Sequence, residues 1–159
     1  QSNWTKIGDS IMPEDCGVFA DDDGDTVSSA IRSNVVVDLS RNGMYVAIGC
    51  PFADLRHENG TIVERVGKVE LYQEVNGTWG LVGSPIYGPF ANAHFGASVS
   101  LSGNGGQLAI GSPGSDGGVS VWGLNQGDWI QDGLTIEANK LLLSVGKISL
   151  SADGNIVAM

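Results

Sequence analysis

The chain has 159 residues, enough for one domain with a real core. Its 18 acidic against 8 basic side chains give a formal charge of −10, which repels a phosphate backbone or an anionic lipid surface, so neither nucleic-acid binding nor membrane adsorption is expected. No run approaches the roughly 18 apolar residues that cross a bilayer, and 24 glycines fall between short apolar runs, the composition of an all-β protein with many turns.

The chain opens on "QSNWTKIGDS", which has neither the basic nor the apolar region of a signal peptide and no initiating Met, so it is expected to derive from a processed or longer polypeptide. A strand centred on Trp4 is predicted over 1–11. An insert follows at 12–32, containing Cys16 and the acidic run "ADDDGD". Next comes "VVVDLSRNGMYVAIGCP" from Val35, where Val35, Val37 and Leu39 fall on one side at the period of two that a half-buried strand requires. "RNG" then predicts a tight hairpin turn, and Pro51 ends the returning strand because it lacks a ladder donor. A second insert spans 52–65, followed by an alternating strand "GKVELYQE" from Gly67 and a fourth strand centred on Trp79.

The same order recurs. "ASVSLSGNGGQLAIGSP" from Ala97, "GGVSVWGL" from Gly117 and "DWIQDGLTI" around Trp129 repeat the four strands, and "GKISLSADGNIVAM" from Gly146 begins them again with Ile148 and Leu150. Trp79 to Trp129 is 50 residues and Leu101 to Leu150 is 49, so the unit is about 50 residues long, stretched in the first copy by the two inserts. Added loop residues cost only a slowly growing closure entropy. Four antiparallel strands at this period predict propeller blades: 1–11 the outer strand of a closing blade, 33–86 a blade with its inserts, 95–136 a second blade, and 144–159 the start of another. Starting on an outer strand fits a ring whose first strand completes its last blade. The expectation is a partial propeller whose polypeptide continues to roughly six to eight blades, or whose copies associate to close the ring.

"HFGASVSLSGNGGQLAIGSPGSDGGVSVW" resembles the FG-GAP repeat of the integrin α-chain type of β-propeller, Phe95 and Gly96 matching the "FG" and Ile110-Gly111-Ser112-Pro113 the "GAP". "WTKIGDSI" and "LSADGNIVAM" are similar to the W-T-x-x-G and L-S-x-D-G units of long surface proteins of bacteria and algae. The resemblance spans most of the chain apart from the inserts. It implies a propeller fold and leaves the activity open, because propellers host many functions. Integrin-type repeats often carry a calcium loop between their first two strands, yet the equivalent positions here (Asp38, Ser40 and Asn42; Ser100, Ser102 and Asn104; Ser149, Ser151 and Asp153) offer no more than one carboxylate per loop. Val46, Leu108 and Ile156 stand near the later acidic position, so glycine hairpins are expected in place of the metal.

Other candidates carry little chemistry. Asp21, Asp22, Asp23 and Asp25 crowd together, and a calcium site through Asp21, Asp23 and Asp25 competes with a plain solvated acidic loop, since neither Gly24 nor any later Glu falls where an EF-hand-like loop needs it. His57 and His94 are the only histidines, too few for a zinc cluster, and His94 reads as a surface or blade-junction residue. No nucleophile elbow and no phosphate-binding loop before a helix is present; "EANKLLLSV" at 137–145 reads as a loop entering the next blade. No catalytic residue and no cofactor is therefore expected. Trp4, Trp79 and Trp129 recur at one repeat position, as blade packing demands, whereas Trp122 lies outside that pattern and is the freer one to stack on a sugar, a blade-to-blade contact being the alternative.

Asn3, Asn59 and Asn76 head Asn-x-Thr sequons at predicted turns, where glycans would face solvent; Asn-Gly is equally a hairpin signal. Cys16 and Cys50, 34 residues apart, exclude a C-x-x-C motif. In a secreted chain they invite a disulfide tying the insert to a strand end; the alternative is two unpaired thiols. The combined expectation is a non-catalytic secreted or cell-surface propeller glycoprotein for adhesion, with protein chains or matrix glycans as partners, possible self-assembly, and partner contacts on the two inserts. An enzyme acting on polysaccharide from blades outside this segment, or a scaffold subunit, are the alternatives.

Overall fold

The computed structural model describes residues 5, 6, 8–11, 13, 16, 34–114, 117–137 and 146–159. Among them there is no helix; all regular structure is antiparallel β. Asn3, Trp4, Asp21, Asp22, Asp23 and Asp25, with most of the 12–32 insert, lie outside the described residues.

The first unit is built from β1 (Val36–Leu39), β2 (Tyr45–Cys50), β5 (Lys68–Val75) and an interrupted fourth strand, β6 (Thr78–Leu81) and β7 (Ile86–Tyr87), both of which pair with β5. Between β2 and β5 the second insert forms its own small hairpin, β3 (Leu55–Arg56) with β4 (Ile62–Val63). Its tip is exposed, but its root is not: Ala53 and Val66 are buried, and the Gly67 N–H donates to Ala53 O at 3.0 Å. The second unit is a four-stranded meander, β8 (Ser98–Leu101), β9 (Gln107–Ser112), β10 (Gly118–Asn125) and β11 (Asp128–Glu137). A last hairpin pairs β12 (Ser149–Leu150) with β13 (Val157–Ala158).

The hairpins are closed by one local device used three times. Ser40, Ser102 and Ser151 each donate Oγ–H to the Asx oxygen two residues on, Asn42, Asn104 and Asp153, at 2.7, 2.9 and 2.5 Å. Each Oγ also accepts the backbone N–H five residues on, from Tyr45, Gln107 and Ile156, at 2.9 Å in every case. The Asx oxygen accepts the N–H of Met44, Gly106 or Asn155. Gly43, Gly105 and Gly154 follow with φ of +73°, +74° and +78°, a region costly for any residue with a Cβ. The side-chain oxygens of Ser40, Asn42, Ser102, Asn104, Ser151 and Asp153 are thus engaged in hydrogen bonds within the turns.

The fourth strands carry a second shared device. Pairing runs Tyr72↔Leu81 then Val69↔Ile86 in the first unit, and Val121↔Asp132 then Val119↔Ile136 in the second, so the outer strand bulges by two residues at the same place. Gly83 and Gly133 occupy the bulges with φ of +68° and +73°.

The units stack face to face. Ala47, Val69 and Leu71 of the first pack against Val99, Leu101, Leu108 and Ile110 of the second, with Trp129 and Phe95 completing the core. The opposite face of the second unit, through Ala109 and Val119, packs on Ile148 and Leu150 of the last hairpin. Val37 and Leu39 differ from expectation: their equivalents Val99 and Leu101 are buried by the preceding unit, yet they are 59% and 55% exposed because no described strand lies before them. The alternation holds, but burial is supplied by a neighbour.

Candidate functional site

Three kinds of contact join successive units, and each occurs twice in register. In the innermost strands, Asp38 Oδ2 accepts the Leu101 N–H at 2.7 Å, and at the next junction Ser100 Oγ accepts the Leu150 N–H at 3.0 Å, seconded by Ser98 and Ile148. At the hairpin tips, a Cβ on Gly105 would meet the Tyr45 ring at 2.2 Å, and one on Gly154 would strike the Gln107 carboxamide, so each glycine makes room for the preceding unit's side chain. At a third position, a Cβ on Gly8, which sits in a bend, would lie 2.7 Å from Gly77 O and 3.1 Å from Trp79 Cδ1; on Gly83 the distances are 2.9 Å to Gly127 O and 3.3 Å to Trp129 Cδ1. A Cβ on Gly133, the third member of that series, would meet nothing within 4 Å among the described residues, and Leu134 beside it is 92% exposed.

On the face of the first unit that turns away from the second, the part around the start of β5 is filled, while Val37 and Leu39 on β1 stay exposed. Lys68, Glu70 and Tyr72 share one side of β5; Glu70 Oε1 takes Lys68 Nζ at 2.7 Å and Oε2 takes the Tyr72 hydroxyl at 2.8 Å, with both charges buried. Val46, Ile48, Cys50 and Ala53 lie on the same side and are packed by Ile11, Cys16 and Trp79. Cys16 and Cys50 form a disulfide, the pairing that the sequence left open.

The matching side of the second unit is open. Aligning β5 with β10 puts Gly118 where Lys68 stands, Ser120 at Glu70 and Trp122 at Tyr72. The small residues leave a cleft of about 520 Å³ between the units. Tyr87, Phe90, Phe95 and Trp122 line it with aromatic surface, while Ser120, Gln131, Thr135 and Glu137 supply polar groups. Trp122 Nε1–H donates to Ser120 Oγ at 2.8 Å, and the Phe95 ring meets the indole edge-on at 6.3 Å, so the indole is held in one orientation. Gln131 Nε2 is shared between Gly133 O and Thr135 Oγ1, both at 3.3 Å. A volume within the ordinary range of ligand pockets, with an apolar wall and a few polar groups, suits a small or extended neutral ligand.

The other residues singled out by the sequence fall elsewhere. Phe95 and Gly96 sit at the entrance to the second unit, where Gly67 bridges Phe95 in parallel; Gly111 is buried at the end of β9, and Pro113 follows that strand. His94 Nδ1 lies 3.2 Å from Pro51 O and its ring stands edge-on to Phe52, placing it at the junction of the second insert with the second unit. His57 is exposed at the tip of the insert hairpin. Asn59 and Asn76 are exposed in turns, the first accepting the Thr61 N–H, the second at φ +53° in a two-residue turn with Gly77. Trp129 is buried, and among the described residues its Nε1 has no hydrogen-bond partner. Among the described residues no three His, Cys, Asp or Glu side chains converge, and no helix is long and apolar enough to cross a membrane. Sequence reasoning singled out Trp122 but missed Tyr87, Phe90, Gln131, Thr135 and Glu137; the exchange of Lys68 and Glu70 for Gly118 and Ser120 at equivalent positions was the signal for them.

The chain matches no protein-family model and no curated protein.

Proposed function

We propose that the chain is a segment of a secreted or cell-surface β-propeller of the FG-GAP kind, a non-catalytic glycoprotein that serves adhesion or extracellular assembly. The observation that carries this reading is the junction itself. The same three contacts recur twice in register, and among the described residues surfaces of the same kind are left open on both sides: Val37 and Leu39 on one, Gly133 and Leu134 on the other. A nearest-neighbour stack of this kind is completed by further units of the same design, which fits a ring. The disulfide fits an oxidising compartment, and the exposed turns at Asn59 and Asn76 can accept glycans. The exposed insert hairpin tip, Arg56 to Ile62, is the element offered to protein partners.

The intact mass of the native, non-reduced protein, before and after glycosidase, tests the reading. A mass well above 16.5 kDa that falls in glycan-sized steps, with sites mapping to Asn59 or Asn76, is expected. A native protein of the bare mass, monomeric and without glycans, overturns it.

A further inference from the structure

We infer that the cleft between the two units is a binding site for a neutral carbohydrate, with Trp122 as the stacking platform and Gln131, Thr135 and Glu137 as hydrogen-bonding groups. This deepens the adhesion reading, on which it rests for the kind of partner met outside the cell.

Four observations lead there. The cleft opens where Gly118 and Ser120 replace the buried Lys68 and Glu70 of the first unit, and at about 520 Å³ it is larger than the 240 Å³ cleft beside Tyr72 and Trp79. Its aromatic wall is preorganised: the indole is pinned through Nε1 to Ser120 and braced by Phe95, so no rotamer freedom is lost when a flat ligand face settles on it. The polar side carries a carboxamide, a hydroxyl and a carboxylate on neighbouring positions of β11, a mixture of donors and acceptors that matches adjacent sugar hydroxyls. None of the described lining residues is basic, and the chain carries −10 overall, which disfavours phosphate, sulfate or uronate ligands. A pyranose ring answers all four, presenting C–H groups on one face and hydroxyls around its rim, and the half-open groove admits an extended chain of rings.

The test is an amide and indole NMR titration of the 159-residue protein with gluco-, xylo-, manno- and N-acetylglucosamine oligosaccharides, and separately with tetramethylammonium, which an aromatic wall beside Glu137 would hold if the cleft were a cation site. At least one oligosaccharide is expected to move the Trp122 indole and Gln131 carboxamide signals while leaving Trp79 in place. Gln131→Ala, an exposed change, is expected to weaken binding about tenfold at unchanged Tm, and Trp122→Ala to abolish it. Should Trp122→Ala fail to fold, Tyr87→Ala reads the same wall from the other unit. The inference falls if no oligosaccharide moves these signals, if binding is unaffected in both Gln131→Ala and Tyr87→Ala, or if only tetramethylammonium binds. A silent cleft in a protein whose native form is glycosylated would remove the ligand assignment and leave the adhesion reading standing.

Discussion

The serine staple of the hairpins shows how little sequence is needed to close a turn well. The Ser and Asx side chains, two residues apart, satisfy two backbone N–H groups locally beside the turn glycine, and the third copy differs only in using a carboxylate. Hydrogen bonds from the Ser151 hydroxyl, then from the Asn155 N–H, hold the Asp153 carboxyl below the ordinary carboxylate range. A lowered pKa means that the folded state prefers the ion, so the contribution of this turn is present above the unfolded pKa and lost as the pH falls through the folded one. Carboxyl NMR of Asp153 should therefore titrate at lower pH than in Ser151→Ala. Acid should loosen the Ile156 amide in hydrogen exchange while the turns at Asn42 and Asn104 stay unchanged, and Asp153→Asn should remove the difference. These turns were legible from sequence because every partner lies within five residues. The Lys68–Glu70 pair and the orphaned Trp129 Nε1 were not, since their environment depends on what another sheet or segment brings opposite them.

Among the elements, the bulged outer strands separate an intrinsic cost from a neighbour's. Gly83 and Gly133 share a left-handed φ, so alanine at either strains the backbone by about 1–2 kcal/mol. Of the two, only at Gly83 would the added Cβ lie 2.9 Å from a described neighbour, Gly127 O, and overpacking there adds about 1–3 kcal/mol. Denaturant unfolding of the two alanine variants is expected to show Gly83→Ala as the more destabilised by that margin. In a protein with a further unit beyond β11, the two should become equal. Strand order, turn positions and the repeat were readable from alternation and Asn-Gly signals, and the described elements agree with them. The bulge that splits β6 from β7 was not, because both halves have strand-like composition and only the partner strand reveals the two extra residues. The cleft escaped for the same reason: its walls come from β7 and the loop after it on one side and from β10 and β11 on the other.

At the scale of the molecule, a covalent tie holds the first unit. The disulfide spans 34 residues and ties Cys16 to the end of β2, against the same face that buries Lys68 and Glu70. Loop-closure entropy for that separation corresponds to about 3–4 kcal/mol. Thermal unfolding with and without reductant should show a loss of this order, and hydrogen exchange should place it on β2 and β5 before β9 and β10. The inner-strand bonds also give the structure a direction in time. Asp38 and Tyr45 are translated before Leu101 and Gly105, and Ser98 and Ser100 before Ile148 and Leu150, so each unit emerges with its acceptors ready and awaits the donor of its successor. Folding can then follow synthesis from the N-terminal side, each finished sheet serving as the template for the next. In an oxidising environment the disulfide can form once residue 50 has emerged, fastening the first strands of the first sheet before the second exists.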